Sequence, residues 1–600
     1  MQFLLIGINS KYIHSNPAIY SLCSYVKEYR EYVALAEYTI NHDKQAILAD
    51  ICGRKPTVIG FSCYIWNWEL VQELILAFHQ VMPDVPIWLG GPEVSHDAEE
   101  VLRRYHAVKG IMVGEGEEVF AELLKYYLSE SKAMAANAGR THLEEIAGLA
   151  FREDGKIVRA ATRPCLDMNA IVFPYQELKA FTNRIIYYES GRGCPFRCSY
   201  CLSAIDKQVR FKGMDKVEEE LGFFLAQKVK QVKFIDRTFN CNKQHAVQIW
   251  KFISKHDNGI TNFHFEIAAD LLDGPQLAIL NAMRPGLVQL EIGVQSTNEQ
   301  TLQEINRITD IRRLKEIVGQ LTGGRNIHIH LDLIAGLPYE GYDSFRQSFN
   351  EVYDMQPEQL QLGFLKVLKG SPLQAKVLEY GIRHWDKPPY EVLYTKWLTY
   401  DEVVRLKKIE AMVDIFYNSN QFMHTLKVLR QQFLSPFAMF EALSRFYEEK
   451  GYLIQHPARA YRYEVLLEFA GVYDKEQLDM YKELLVYDMY LRENAKSRPG
   501  YAAGLTDFKD RIYDFYQAEE RSRDLLAHYR QYNARQMMRM THVDMFHYPV
   551  WNMKEHLSAG RNTVQLDKPV FLLFDYERRD ALTGNAAVYF PRIGDGGVPE

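Results

Sequence analysis

Cys194-Pro195-Phe196-Arg197-Cys198-Ser199-Tyr200-Cys201 places three thiols within eight residues, directly after the strand-like run Arg184-Ile185-Ile186-Tyr187-Tyr188. A four-iron cubane takes four cysteine ligands. A three-cysteine loop therefore leaves one iron with coordination positions that a substrate or cofactor can fill. A structural zinc site is the competing reading, but it calls for four closed ligands in paired C-x2-C elements, and no second pair is present. The other cysteines, Cys23, Cys52, Cys63, Cys165 and Cys241, are scattered through 600 residues. That pattern suits reduced thiols in a cytosol rather than a disulfide framework.

Outward from this loop the chain alternates strands and helices. Downstream come Val232–Asp236, Phe263–Ile267, Leu287–Val294, Ile327–Ile334 and Gln359–Phe364. With the strand before Cys194 these make six parallel strands, the pattern of a partial β/α barrel whose site lies at the carboxyl ends of the strands. Upstream, Phe3–Ile8, Val33–Tyr38, Val58–Ser62, Ile87–Gly91 and Gly110–Gly114 predict a doubly wound, Rossmann- or flavodoxin-like parallel sheet. Its strand ends carry glycines and small polar residues, where such sheets bind ligands. No G-x-G-x-x-G follows the first strand, so a nicotinamide dinucleotide is poorly supported.

The C-x3-C-x2-C spacing with an aromatic before the last cysteine resembles the radical SAM superfamily. By that resemblance Cys194, Cys198 and Cys201 hold a 4Fe-4S cluster whose open iron chelates S-adenosylmethionine. Reductive cleavage then releases a 5'-deoxyadenosyl radical, with a flavodoxin- or ferredoxin-type electron donor. Tyr200 would lie near the adenine, and Gly336-Leu337-Pro338, after Asp332, resembles the adenine-contacting turn. Asp236 would replace the usual Gly-Gly-Glu element that meets the methionyl amine. Glu266, Glu291 and Gln295 would meet ribose hydroxyls, and Arg307 the methionyl carboxylate. The segment Glu291–Ser296 also resembles methylthiotransferases, but those need a second cluster, for which Cys23, Cys52 and Cys63 are poorly placed.

Leu89-Gly90-Gly91-Pro92-Glu93-Val94 and Val113-Gly114-Glu115-Gly116-Glu117 look like the cobalamin-binding domain that precedes many radical SAM cores. With Asn9, Ser10, Lys11, Tyr12 and Ser62 they would approach the lower face of the corrin and its nucleotide tail. The D-x-H-x-x-G signature of many such domains is absent, and His14, in Tyr12-Ile13-His14-Ser15-Asn16, does not match it. A domain that packs and binds nothing is the competing reading. Glu115 and Glu117 have a plain alternative as first-turn acids that complement a helix dipole, and His96 reads as a capping or surface residue.

The expected organisation is a cobalamin-binding domain over 1–130, a connector over 131–180, a radical SAM core over 181–385 and a mainly helical domain over 386–600. The connector should hold a helix through Ala133–Ala138 and a hairpin turning at Asp154-Gly155. The last third has the three- and four-residue apolar spacing of packed helices, a basic stretch over Ala518–Met540 that reads as a solvated face, and a hairpin-like pair of strands at Lys568–Tyr576 and Ala586–Phe590.

A net charge of −6, from 71 basic and 77 acidic residues, does not favour nucleic acid as a partner. The apolar run at the N-terminus is too short to span a bilayer and lacks a cleavage site, so a cytoplasmic location without membrane is expected. The leading reading is a cobalamin-dependent radical SAM methyltransferase acting on an unactivated carbon or a phosphinate of a small-molecule or peptide substrate. A cyclase or rearrangement enzyme that uses cobalamin for electron transfer is the alternative within catalysis. A cobalamin- or S-adenosylmethionine-sensing regulator is the alternative outside it.

Overall fold

The computed structural model describes residues 1–133, 142–205, 208–553 and 565–593. The first sheet contains β1 (Phe3–Asn9), β2 (Val33–Thr39), β3 (Val58–Ser62), β4 (Ile87–Gly90) and β5 (Val108–Met112), with β1 between β2 and β3 and every pairing among the five parallel. Two further strands, β6 (Leu149–Glu153) and β7 (Lys156–Arg159), extend it antiparallel beyond β5 to seven strands. The connector hairpin thus closes an edge of the first sheet, with Asp154 and Gly155 at its turn in the left-handed region. Most of the expected Ala133–Ala138 helix lies outside the described residues, and the helix before it runs Gly116–Ala133.

Alternation along β1 builds two core layers. Leu4, Ile6 and Ile8 enter one layer with Val71, Leu74 and Phe78 of the helix Trp68–Val81. Phe3 and Leu5 enter the other with Ile19, Phe120 and Leu123, from the helices on the opposite face. A strand with side chains buried on both faces reads as a continuous apolar run, which is why Phe3-Leu4-Leu5-Ile6 shows no alternation in the sequence.

The second sheet contains β8 (Ile186–Tyr188), β11 (Gln231–Phe234), β12 (Asn262–Ile267), β13 (Val288–Gln295), β14 (His328–Ala335) and β15 (Gln359–Phe364), ordered as six adjacent strands. β8, β11, β12 and β13 pair in parallel. Between β8 and β11, the short β9 (Gly191–Arg192) and β10 (Arg210–Phe211) form a separate antiparallel ladder at the base of the cysteine loop. A second short ladder follows β15, from β16 (Arg383–His384) and β17 (Val392–Tyr394).

The chain divides into two compact units, one of Met1–Gly324, Ile334–Gly341 and Gly363–Tyr400, the other of Arg325–Leu333, Tyr342–Leu362 and Asp401–Glu600. The second unit is mainly helical, with Pro436–Glu449, Tyr461–Tyr473, Leu478–Arg492 and Lys509–Ser522 among its longer helices. Its expected strand pair is part of a three-stranded sheet of β18 (Thr541–Phe546), β19 (Val570–Arg579) and β20 (Ala586–Tyr589). Ile512, Tyr516 and Met537 pack on that sheet against Val543, Phe571 and Leu573. Among the described residues no helix is long and apolar enough to cross a membrane.

Candidate functional site

The cysteine loop is fixed at both ends and in its middle. Before it, Ser190 donates from its backbone nitrogen and its hydroxyl to Asp236, at 3.0 and 2.6 Å. Within it, the Ser199 nitrogen donates to the Ile305 carbonyl, and the Ser199 carbonyl accepts from the Leu373 nitrogen, both at 2.8 Å. The backbone between Cys198 and Tyr200 is thereby held from two directions. Cys194 Sγ lies 3.5 Å from Thr238 Oγ1, and Cys198 is buried. Burial pushes the Cys198 thiol up, and the Arg307 guanidinium opposes that push.

Arg307 is placed at the loop rather than out in the barrel mouth. One terminal nitrogen donates to Cys198 Sγ at 3.8 Å, the other donates to the Gly293 carbonyl, and its Nε is buried with no hydrogen-bond partner among the described residues. Tyr200, like Ile334 and Phe364, packs against the apolar cluster that contains Leu337 and Leu365. Gln295, at the end of β13, stands in the left-handed region with φ of 69°. Gly336 is likewise left-handed, with φ of 89°. Asp332 lies on β14 within the second compact unit.

The carboxylates expected at the strand ends differ sharply in environment. Glu291 takes Lys233 Nζ and His264 Nε2, each at 2.9 Å. Burial opposes its ionisation, but these partners hold its carboxyl at about 2. Glu266 beside it is pushed up, first by burial and then by the Glu291 charge. Asp236 is buried and both its oxygens serve Ser190, whose hydroxyl also lies 3.1 Å from His245 Nε2. Burial outweighs those bonds and pushes Asp236 up to about 7. Carboxyls of one barrel are thus shifted in opposite directions, Glu291 down by its basic partners and Asp236 and Glu266 up by burial.

A cavity of about 480 Å³ opens at the carboxyl ends of β3, β4 and β5. Ser62, Gly90, Gly91, Pro92, Gly114, Glu115, Gly116 and Glu117 line it. Leu5, Ile19, Gly60, Phe61 and Met112 add an apolar part to its wall. Asn16 positions Ser62: its side-chain oxygen caps the helix Pro17–Tyr25, and its amide nitrogen donates to Ser62 Oγ at 2.8 Å.

Two glycines shape the wall. Gly91 has φ of 107°, and a Cβ there would stand 2.5 Å from the Cys63 carbonyl oxygen. Gly114 has φ of 85°, and a Cβ there would meet no described atom within 4 Å. The first glycine is required by close backbone approach, and the second leaves wall space free of side chains. This bare backbone beside an apolar recess fits a broad, flat corrinoid. The three-thiol loop fits an iron-sulfur cluster with one iron left to a fourth ligand.

Some expected residues are placed elsewhere. Asn9, Ser10, Lys11 and Tyr12 do not line the cavity. Asn9 spends its amide on the His14 carbonyl and on Glu37, at 3.1 and 2.9 Å. Tyr12 is exposed beneath the Arg184 guanidinium. Glu93 is also absent from the lining, because it is buried against Lys369 Nζ at 3.2 Å and the Tyr390 hydroxyl. His96, read as a surface residue, does line the cavity.

The same cavity is walled by residues that carry no motif. Tyr64, Tyr187, Tyr188, Glu189, Arg192 and Lys212 line it, as do Ile171 and Pro174 of the connector and Leu202 and Ile205 just after the third cysteine. Burial pushes the Tyr64 and Tyr187 phenols up to about 12, so both are neutral donors at physiological pH. Glu115 and Glu117 are more than acids at a helix start. Arg210 meets Glu115 at 2.6 Å and Arg192 meets Glu117 at 2.6 Å. Burial opposes ionisation of both carboxyls, and the arginines more than offset it, holding both below the usual carboxylate range.

Comparison with known proteins agrees with this layout. Residues 4–124 match the B12 binding domain, residues 188–352 the radical SAM superfamily, and residues 378–566 a family described as protein of unknown function DUF4080. TokK of Streptomyces tokunonensis, a cobalamin-dependent radical SAM methyltransferase, is 26% identical over 372 residues, 56% of this chain and 51% of TokK. An anaerobic magnesium-protoporphyrin IX monomethyl ester cyclase of Cereibacter sphaeroides is 22% identical over 399 residues, 62% of this chain and 61% of the cyclase. The chain spans about half the length of the first curated relatives it matches. The solved structure of the cobalamin-dependent S-adenosylmethionine radical enzyme OxsB, with aqua-cobalamin and S-adenosylmethionine bound, shares the fold at a TM-score of 0.54 and 16% identity, over 82% of this chain and 76% of OxsB. In chain order, then, a segment that matches the B12 binding domain precedes one that matches the radical SAM superfamily, and a segment that matches DUF4080 follows them.

Proposed function

We propose that the protein is a cobalamin-dependent radical SAM methyltransferase acting on an unactivated carbon or phosphinate centre of a small-molecule or peptide substrate. The observation that carries this reading is the cavity itself. One cavity touches the strand-end glycines Gly90, Gly91, Gly114 and Gly116, and also Glu189, Arg192, Leu202 and Ile205 on either side of the three cysteines. When bound, the cluster, S-adenosylmethionine and cobalamin would supply one-electron cleavage chemistry and a transferable methyl group.

The protein's own groups bind and orient. Cys194, Cys198 and Cys201 would hold the cluster, with Arg307 stabilising the buried thiolate of Cys198. Tyr200, Asp236, Glu266, Glu291, Gln295 and Gly336 would border S-adenosylmethionine, while Ser62 and the glycine loops would border the corrinoid. The apolar wall excludes water from the reacting groups. A flavodoxin- or ferredoxin-type protein would supply electrons, and the setting would be cytoplasmic.

The similarity to the cyclase of Cereibacter sphaeroides supports a second reading, a radical cyclase or rearrangement enzyme. Anaerobic reconstitution with iron, sulfide and cobalamin, followed by turnover with a reductant, separates them. Formation of both 5'-deoxyadenosine and S-adenosylhomocysteine supports methyl transfer. 5'-Deoxyadenosine without S-adenosylhomocysteine favours the second reading, and neither product counts against a radical SAM enzyme.

A further inference from the structure

The base of the cysteine loop is gripped by the same turn that lines the corrinoid cavity. β9 and β10 close the loop, and their register places Arg192 opposite Arg210. Arg210 reaches both oxygens of Glu115, at 2.6 and 3.2 Å, and Arg192 approaches the same carboxylate at 3.5 Å. Arg192 also forks onto Glu117, at 2.6 and 3.3 Å, and donates from Nε to Glu189 at 2.9 Å. Both stems of the loop are therefore tied to the turn that follows β5. The side chains of Arg192, Arg210, Glu115 and Glu117 are 17%, 16%, 24% and 5% exposed, so solvent screens these forked pairs only partly.

The connection from this grip to the first thiol is short and stiff. Arg192 precedes Cys194 by two residues, and Gly193 between them has φ of 93°. A Cβ at Gly193 would stand 2.2 Å from the Gln208 carbonyl oxygen, so the two stems are in close backbone contact there. On the other side of the grip, Gly114, Glu115, Gly116 and Glu117 form part of the cavity wall. A ligand that fixes this turn fixes the loop stems, and a cluster that fixes three points of the loop fixes the turn.

We propose that this arginine–glutamate clamp couples the two cofactor sites, so that corrinoid binding and cluster assembly each raise the protein's affinity for the other cofactor. The proposal rests on the cofactor reading above. Coupling between two sites is reciprocal, and its usual size corresponds to roughly 5- to 150-fold in affinity.

The test uses the full chain under anaerobic conditions with hydroxocobalamin as probe. Its dissociation constant is measured for iron-free and for reconstituted protein, and iron retention against a ferrous chelator is measured with and without hydroxocobalamin. For the wild type we expect affinity at least about fivefold tighter in the reconstituted protein, and more iron retained when the corrinoid is present. Glu115→Gln should bring the affinity ratio close to one, whatever this wall residue does to either affinity by itself, and Arg192→Lys, which keeps the charge but loses the forked geometry, should do so in part. A residue that only stabilised the fold would weaken both affinities and leave the ratio alone. A wild-type ratio of one overturns the proposal, as does a ratio unchanged in both variants. A wild type that takes up no iron or no corrinoid overturns the functional reading itself, and the coupling with it.

Discussion

Arg307 and Cys198 form a charged contact inside the barrel, with the guanidinium donating to Sγ at 3.8 Å. A cluster ligand must be a thiolate, and burial alone pushes the Cys198 thiol the wrong way. Arg307 supplies the opposing charge from a position 109 residues further along the chain.

Replacing Arg307 by methionine should therefore make cluster assembly more alkaline in its pH dependence. Iron uptake requires loss of the Cys198 proton, so it rises with pH, and removing the guanidinium moves that rise upward. We expect the pH of half-maximal iron incorporation to increase, because the charge that opposes the burial of Cys198 is gone. Iron per chain after reconstitution at a series of pH values measures this. An unchanged profile would show that the guanidinium does not act on the thiolate.

Asp236 makes a prediction of opposite sign to most carboxylates. Its folded carboxyl titrates at about 7, whereas an aspartate in an unfolded chain titrates near 3.9. Between those values the unfolded chain releases a proton that the native state keeps, so stability from this group falls as pH rises from about 4 to 7 and is level above. Three units at about 1.4 kcal/mol each set an upper limit of about 4 kcal/mol. Asp236→Asn removes this dependence and changes stability by a pH-independent amount, because its amide oxygen accepts from the Ser190 N–H and its NH2 donates to the Ser190 hydroxyl, which is then free to donate to His245. Denaturant unfolding of the two proteins should therefore show the wild-type advantage shrinking from pH 5 to 7.5. A constant difference across that range would remove the assignment.

The parallel strands were legible because burial on both faces writes them as apolar runs ended by glycine, as in Phe3–Ile8 and Leu89-Gly90-Gly91. The hairpin at Asp154-Gly155 was legible from its turn residues, although its place as an edge of the first sheet depends on pairing with β5 far upstream. β18 was not legible. It directly follows a basic helix, and its partner β19 begins 24 residues after it ends. In the site, Gly91 and Gly114 could be read because the requirement sits in their own backbone. Arg192 and Arg210 could not, since their partners lie 75 to 95 residues upstream. The buried contacts of Glu93 were illegible for the same reason, because Tyr390 is 297 residues away.

The two cavity glycines should fail differently. Gly91→Ala puts a methyl 2.5 Å from a backbone oxygen in a left-handed conformation, so the turn must move. We expect a loss of at least about 2 kcal/mol in stability and loss of corrinoid binding together. Gly114→Ala meets no described atom within 4 Å and should cost about 1 kcal/mol of backbone strain. Its methyl stands in open space at the cavity wall, so corrinoid affinity should still fall about tenfold, equivalent to about 1.4 kcal/mol. Thermal unfolding and hydroxocobalamin titration read the two effects separately. Equal behaviour of the two variants in both measurements would contradict this division.

Glu93 provides the converse case, a motif residue that serves packing. Burial pushes its carboxyl up, and the Tyr390 hydroxyl and Lys369 pull against that push. Tyr390→Phe removes a donor from a carboxylate that is 6% exposed, which should cost about 1–3 kcal/mol. The loss should be smaller at pH 5 than at pH 8. Without the hydroxyl the Glu93 pKa rises further, the native state holds its proton to higher pH, and a protonated carboxyl needs the donor less. Corrinoid affinity should stay within about twofold of wild type, less than 0.5 kcal/mol, because Glu93 does not line the cavity. A variant of normal stability with weakened hydroxocobalamin binding would return Glu93 to the cofactor site.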